Sequence, residues 1–373
     1  VIAGTSDRLN NYGDDAMWVL SGAIDPSPNP RIIWGPIGHQ GTSSPLGCGL
    51  YQPIIVPDVD EDGVNDIFVN VSVRGASCYG SDAGLLFSGA DGNRIWYFTQ
   101  ATVFNGLWDI YGRTVMPSLD GDALADIIVA GATTNSPDKG GVQAWKGSSE
   151  PVDPPTLIWD ALTDAHILRP TMLGDLNDDG VPEVGVGRFH ALCPATPDPR
   201  LYVLSGTTGI TLWDYGLQRT PSSIENLGDV TGDGIEDVVI GTYLNNNCGG
   251  SDSSVYAFSG EPNDSDGRLI WKYPLTDQDS YVKVVPDVNS DGKKDVVVTG
   301  QLDKLLILSG EDGSVLAHTS FPSGSGGAQI GEFDHKAGND ILTNVSTTIY
   351  ALDLIPQDIP ANRPPSKPAL LSP

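Results

Sequence analysis

Basic side chains are scarce: 20 lysines and arginines stand against 48 aspartates and glutamates, a formal charge of −28 over 373 residues. A surface with that balance repels phosphate backbones, so nucleic acid is not expected as a partner. Long apolar runs are also missing. None approaches the ~18 residues of a membrane-spanning helix, and the first residues lack the basic-then-apolar layout of a signal peptide. No membrane insertion is expected. The five histidines, His39, His166, His190, His318 and His335, share no motif, and neither a G-x-S-x-G turn nor a phosphate-binding loop occurs. Without a converging nucleophile, base and oxyanion donor, the chain does not read as an enzyme. Disorder is excluded by what is present: 39% apolar residues, with 8 Trp and 12 Tyr, are enough to form a substantial core.

The carboxylates are not evenly spread. One segment recurs as IIVPDVDEDGVNDIFV (54–69), TVMPSLDGDALADIIV (114–129), TMLGDLNDDGVPEVGV (171–186), ENLGDVTGDGIEDVVI (225–240) and KVVPDVNSDGKKDVVV (283–298), with a worn copy QIGEFDHKAGNDILTN (329–344). Each copy is an Asp/Gly turn between two β-branched apolar runs, the pattern of two antiparallel strands and a loop. A third strand follows in every unit, as in LLFSG (85–89), LYVLSG (201–206) and LLILSG (305–310). A fourth often carries Trp, as in RIIWG (31–35) and RLIWKY (268–273). Four short strands per repeat describe an all-β fold, a seven-bladed β-propeller over residues 1–354. The first unit enters at its second strand, VIAGTS (1–6), and the last stops after its third, IYALD (349–353), so 26 strands are expected where complete blades would give 28. Upstream residues would then close the ring, or another molecule would supply the missing strands in trans. From residue 355 to 373 the chain is Pro-rich and aperiodic and reads as a stiff linker toward a further module.

Within each loop, oxygen-bearing residues fall at positions one, three, five and nine. They are Asp58, Asp60, Asp62 and Asp66; Ser118, Asp120, Asp122 and Asp126; Asp175, Asn177, Asp179 and Glu183; Asp229, Thr231, Asp233 and Asp237; and Asp287, Asn289, Asp291 and Asp295. A glycine at position six permits the sharp turn that brings in the position-seven carbonyl, from Val64, Leu124, Val181, Ile235 or Lys293. Hard oxygen donors in this number suit Ca²⁺ better than Mg²⁺, which keeps its waters, or Zn²⁺, which wants His or Cys. About four to five structural calcium ions are expected. Ala123 replaces the glycine in the second copy, which should bind more weakly, and Lys336 takes position five in the sixth, whose ammonium would replace the ion. An EF-hand is ruled out because position twelve is Val69, Val186, Ile240 and Val298 rather than an acid. The competing reading of any single copy is a plain β-turn; copies in register weigh against it.

These loops, with endings such as VVIGT (238–242) and IIVAG (127–131), resemble the FG-GAP repeats of integrin α-subunit propellers and the related bacterial and archaeal VCBS proteins. The resemblance implies a seven-bladed propeller with calcium in the hairpin between first and second strands, and a role in adhesion or ligand recognition. It also departs from integrins, with no insert domain and no D-x-S-x-S motif, so no ligand carries over.

Cys48 and Cys78 flank the second blade's hairpin, and Cys193 and Cys248 each follow the second strand of adjacent blades, so the pairings Cys48 with Cys78 and Cys193 with Cys248 are within reach among three possible connectivities. Disulfides would fit an extracellular, secreted or cell-surface setting. Of the sequons, Asn263-Asp-Ser lies in a polar loop suited to glycosylation, whereas Asn70 and Asn344 fall on predicted strands. The leading expectation is a calcium-stabilised extracellular adhesion, recognition or structural module with a protein or glycan ligand. A filament subunit self-assembling through its open blades and a catalytic propeller, such as a calcium-dependent polysaccharide lyase, are the alternatives. If there is a recognition surface, it is expected on the face bearing the cysteine loops and the segment from Asn245 to Ser254.

Overall fold

The computed structural model describes residues 2–5, 16–20, 32–38, 50–71, 83–99, 108–133, 140–148, 155–163, 166–189, 199–243, 252–262, 268–276, 280–300, 304–320, 325–331, 339–345, 348–354 and 369–370. Every regular element among them is a β-strand, in two compact units, Val1–Ile167 and Leu168–Pro373.

The first unit holds three antiparallel sheets. They are a three-stranded sheet of β1 (Ile2–Thr5), β2 (Ala16–Leu20) and β3 (Ile32–Gly38), and two four-stranded ones. The latter are β4 (Leu50–Val56), β5 (Asp66–Val71), β6 (Ala83–Phe87) and β7 (Arg94–Thr99), then β8 (Trp108–Met116), β9 (Asp126–Thr133), β10 (Gly140–Trp145) and β11 (Leu157–Thr163). The second unit is a series of four-stranded sheets. Its first comprises β12 (His166–Met172, starting just before the boundary), β13 (Val184–Phe189), β14 (Arg200–Leu204) and β15 (Thr211–Gly216). Next come β16 (Thr220–Gly228), β17 (Asp237–Tyr243), β18 (Asp252–Phe258) and β19 (Leu269–Thr276). They are followed by β20 (Ser280–Val285), β21 (Asp295–Gly300), β22 (Lys304–Leu308) and β23 (Val315–Ser320), and by β24 (Ser325–Gly331), β25 (Asn339–Val345), β26 (Thr348–Leu354) and β27 (Ala369–Leu370). In every sheet, strands adjacent in sequence are adjacent in space, an up-and-down meander. This β-propeller-like arrangement agrees with the strand pattern of the repeats.

One strand departs from that pattern. The repeats predict a last unit that stops at its third strand, but Ala369 and Leu370 pair antiparallel with Ala351 and Tyr350. The proline run hides this short apolar pair, which has no periodicity of its own. Residues 355–368 lie outside the described set, as do Cys48, Cys78, Cys193, Cys248, Asn263, Lys336 and the segment 244–251.

The second strands read as nearly continuous apolar runs because both of their faces are covered. In β21, Val296 and Val298 belong to the core shared with β17 to β19, while Val297 belongs to the core on the other face, with Ile341 of β25. Successive sheets therefore stack face to face within a unit, and the usual solvent-facing alternation of an antiparallel strand is lost. A fourth-strand Trp ties neighbours together: the Trp34 indole N–H donates to the Gly89 carbonyl (2.7 Å), and the Trp271 indole N–H donates to that of Gly310 (2.8 Å). That bond places these two indoles, whereas the fourth-strand Trp96 and Trp213 have no partner for the buried indole N–H and are placed by packing against aromatic neighbours.

Candidate metal loops

Among the described residues, the five loops 58–66, 118–126, 175–183, 229–237 and 287–295 are each wound around their own acidic side chains. At position one, the Asp58 carboxylate accepts from the N–H groups of Asp62 (3.0 Å) and Gly63 (2.7 Å). Asp175 accepts likewise from Asp179 and Gly180, Asp229 from Asp233 and Gly234, and Asp287 from Asp291 and Gly292. At position five, Asp62, Asp122, Asp179, Asp233 and Asp291 each accept from the N–H two residues on, at 2.8 to 2.9 Å. The turn needs left-handed backbone at position six, where Gly63, Gly180, Gly234 and Gly292 have φ of 87° to 91°. Ala123 adopts φ 75° there and carries the strain that a Cβ brings.

Position four is left-handed too, in Glu61, Asp178 and Ser290 (φ 58°, 59° and 65°) as well as Gly121 and Gly232. No glycine rule marks it in sequence.

Position nine is the first residue of the second strand in four loops and immediately precedes it in the third. Asp66, Asp126 and Asp295 accept from the N–H at position two (2.6 to 2.7 Å) and from the glycine that follows the third strand: Gly89 (3.1 Å), Gly147 (2.8 Å) and Gly310 (3.1 Å). Asp237 does the same with Val230 and Gly260. A Cβ on any of these glycines, or on Gly206, would collide with the position-eight carbonyl of the loop. The glycine after each third strand is therefore the mount on which the loop rests.

Two loops gather their carboxylates. Asp58, Asp60 and Asp66 each bring an oxygen within 4.8 Å of the others, as do Asp175, Asp179 and Glu183. In the loops of Asp229 and Asp287, position three is Thr231 and Asn289, and the three carboxylates stand farther apart than that. Asp62 is turned partly aside, accepting a hydrogen bond from Ser88 Oγ (3.0 Å). Glu183 is fully buried, and its Oε1 has no hydrogen-bond partner. A buried carboxylate oxygen without a donor is costly unless a cation completes it.

The titration of these groups follows their burial. Desolvation first, with neighbouring loop carboxylates adding to it, pushes Asp66, Asp126 and Asp295 up to about 6 and Glu183 up to about 7. Folded values above the unfolded ones mean that the metal-free folded chain holds protons that the unfolded chain has released. Their contribution to stability is full below the ordinary carboxylate range and is lost as pH rises toward 6 to 7. Chelated protein should therefore lose stability to urea across that window, and Asp295→Asn, which removes one such group, should show a shallower decline. A slope unchanged by the substitution would contradict this.

The loop of 118–126 differs. Lys146 occupies the third-strand position held elsewhere by Ser88, Ser205, Ser259 and Ser309. Its ammonium lies 3.0 Å from Asp122 Oδ2 and also contacts Asp120 Oδ2. Burial alone would raise the Asp122 carboxyl; the Leu124 N–H and the Lys146 ammonium hold it below its ordinary value. Lys293, at position seven of the last of these loops, instead sends its ammonium out to Glu311 Oε1 (2.8 Å).

No family model matches the chain. It is 30% identical over 166 residues to "Protein FAM234B" of Gallus gallus, a match covering 40% of this chain and a quarter (25%) of that protein. Among solved structures, it superposes on BBS1N in complex with ARL6DN, soaked with lead, with TM-score 0.50 and 12% identity over 86% of this chain and 96% of that one. The mercury-soaked form of the same complex gives TM-score 0.50 and 11% identity over 82% and 88%. These likenesses are to the fold, a β-propeller.

Proposed function

We propose that the chain is a calcium-stabilised propeller of seven blades, a recognition or adhesion module that works outside the cell. The observation that carries the reading is Glu183: a fully buried carboxylate with an unpartnered oxygen, grouped with Asp175 and Asp179 in a loop whose design recurs at Asp58, Asp229 and Asp287. The donors fit a calcium ion. All are carboxylate, amide, hydroxyl or backbone oxygens, and a divalent cation would offset the charge that desolvation makes expensive. Asp58, Asp60 and Asp66, and Asp175, Asp179 and Glu183, would hold it in the first two strong loops. Its part is structural: it would neutralise the loop and lock the hairpin, leaving recognition to other surfaces. Loops of modest affinity fill only where calcium is abundant, which favours an extracellular setting. A protein partner is supported in kind by the propeller BBS1N, whose structure is a complex with ARL6DN.

Elemental analysis after dialysis against calcium should find about four ions per chain, in line with the four loops that keep glycine at position six. A chain free of stoichiometric metal would sink the reading. Binding to a panel of matrix proteins and glycans should then depend on calcium; a metal-loaded chain that binds none of them is a spacer and not a recognition module.

A further inference from the structure

We infer that Lys146 is a tethered counter-ion that stands in for the metal in the loop of 118–126, making that loop independent of calcium. The inference deepens the calcium reading of the other four loops and rests on it for the contrast between them.

The ammonium comes from the residue after β10, twenty residues beyond the loop's last donor, and lies between the carboxylates at positions three and five, Asp120 and Asp122. A calcium ion bound to both at ~2.4 Å would lie against the Nζ, and two cations cannot share that place. The rest of the loop departs from the other four as well. Position one is Ser118, whose hydroxyl donates toward Asp122 (3.2 Å) and accepts from Gly121 N–H (2.9 Å), so the loop lacks the position-one carboxylate that Asp58, Asp175, Asp229 and Asp287 supply. Position six is Ala123, strained at φ 75°. Two departures within the loop, Ser118 and Ala123, coincide in the one copy that has a lysine after its third strand, and Lys146 accounts for their being tolerated together. The turn itself is kept, with left-handed backbone at Gly121 (φ 84°) and Ala123 (φ 75°), so the carboxylates still converge, here on the tethered ammonium. The other four of these loops have serine where Lys146 stands. In the first of them, Ser88 Oγ reaches Asp62 as a neutral donor and leaves the cation's place open.

Two arms test this. In the first, bound calcium is counted by elemental analysis for the wild type and for Lys146→Ser/Ala123→Gly/Ser118→Asp, which restores the pattern of the other loops. The expected result is one more ion in the triple variant than in the wild type, and no ion lost in Asp122→Asn where Asp179→Asn loses one. Loss of an ion in Asp122→Asn would show that the wild-type loop already holds calcium and would overturn the inference outright.

The second arm needs no metal. In chelator, Lys146→Met should lower the urea midpoint, and Asp120→Asn added to it should recover most of that drop, because the charge left uncompensated is gone. A Lys146→Met midpoint equal to the wild type would overturn the inference whatever the metal content. If no loop binds calcium but the midpoint drops and is rescued as described, the calcium reading fails while the tethered ammonium stands.

Discussion

Removing calcium is expected to lower the stability of the loaded protein by about 4 kcal/mol at millimolar calcium, about 1 kcal/mol for each of four loops if their dissociation constants lie near 10⁻⁴ to 10⁻³ M. The effect has two sources. Binding to the folded state alone contributes the mass-action part. The metal-free loop also confines several carboxylates, one of them at position nine with almost no exposure (0% for Asp66, Glu183 and Asp295), where like charges and desolvation both oppose ionisation. The measurement is a urea titration with calcium and with chelator at matched ionic strength. Because sodium chloride screens charges without filling the loops, it should recover little of the loss. Full recovery by sodium chloride would mean that charge repulsion and not ion binding governs these turns, and an unchanged midpoint would remove the structural role of calcium altogether.

The second large effect is steric. Gly310→Ala should cost about 3 kcal/mol or more, because the added Cβ runs into the Lys294 carbonyl and lies 3.4 Å from Leu227 Cδ1. Relief requires moving either the end of β22 or position eight of the loop, and both movements pull the Gly310 N–H away from Asp295 Oδ1, now 3.1 Å apart. That leaves a buried donor and a buried carboxylate oxygen unsatisfied. Gly292→Ala is the control. A Cβ there meets nothing within 4 Å, so its cost, about 1 kcal/mol, is only that of holding alanine at φ 88°. Equal urea midpoints for the two variants would show that the third-strand glycine is not the loop's seat.

The loops were legible because oxygen donors at alternate positions, followed by glycine, form a pattern that an ordinary turn does not require, and the strands because second strands such as β9, β17 and β21 are apolar on both faces. What escaped the sequence was whatever depends on residues distant along the chain. Ser88 and Gly89 lie more than twenty residues beyond Asp62 and Asp66, which they contact. Lys146 is as far from Asp120, and a lone lysine in WKG gives no sign that it reaches back. Ala123 marks the loop as weak, and it is a local signal; the reason the loop persists lies just beyond the third strand. The left-handed residues at position four were hidden for the opposite reason, since Glu61, Asp178 and Ser290 share no residue type and only the aspartate favours that region. The fourth-strand Trp was visible as a pattern, but for Trp34 and Trp271 the acceptor belongs to the next sheet.

Position two of each loop is a buried aliphatic: Val59, Leu119, Leu176, Val230 and Val288. Val59 packs with Ile127 and Trp145, Leu176 with Val238 and Phe258, Val230 with Val296 and Leu308, and Val288 with Ile341, in each case reaching the sheet that follows its own. The N–H of that same residue is the one held by the position-nine carboxylate. Each hairpin thus acts as a latch on its successor, and the stack has a polarity. A loop that lets go uncovers apolar surface on its own sheet and on the next one, so the effect of damage at one hairpin is shared with the sheet that follows it.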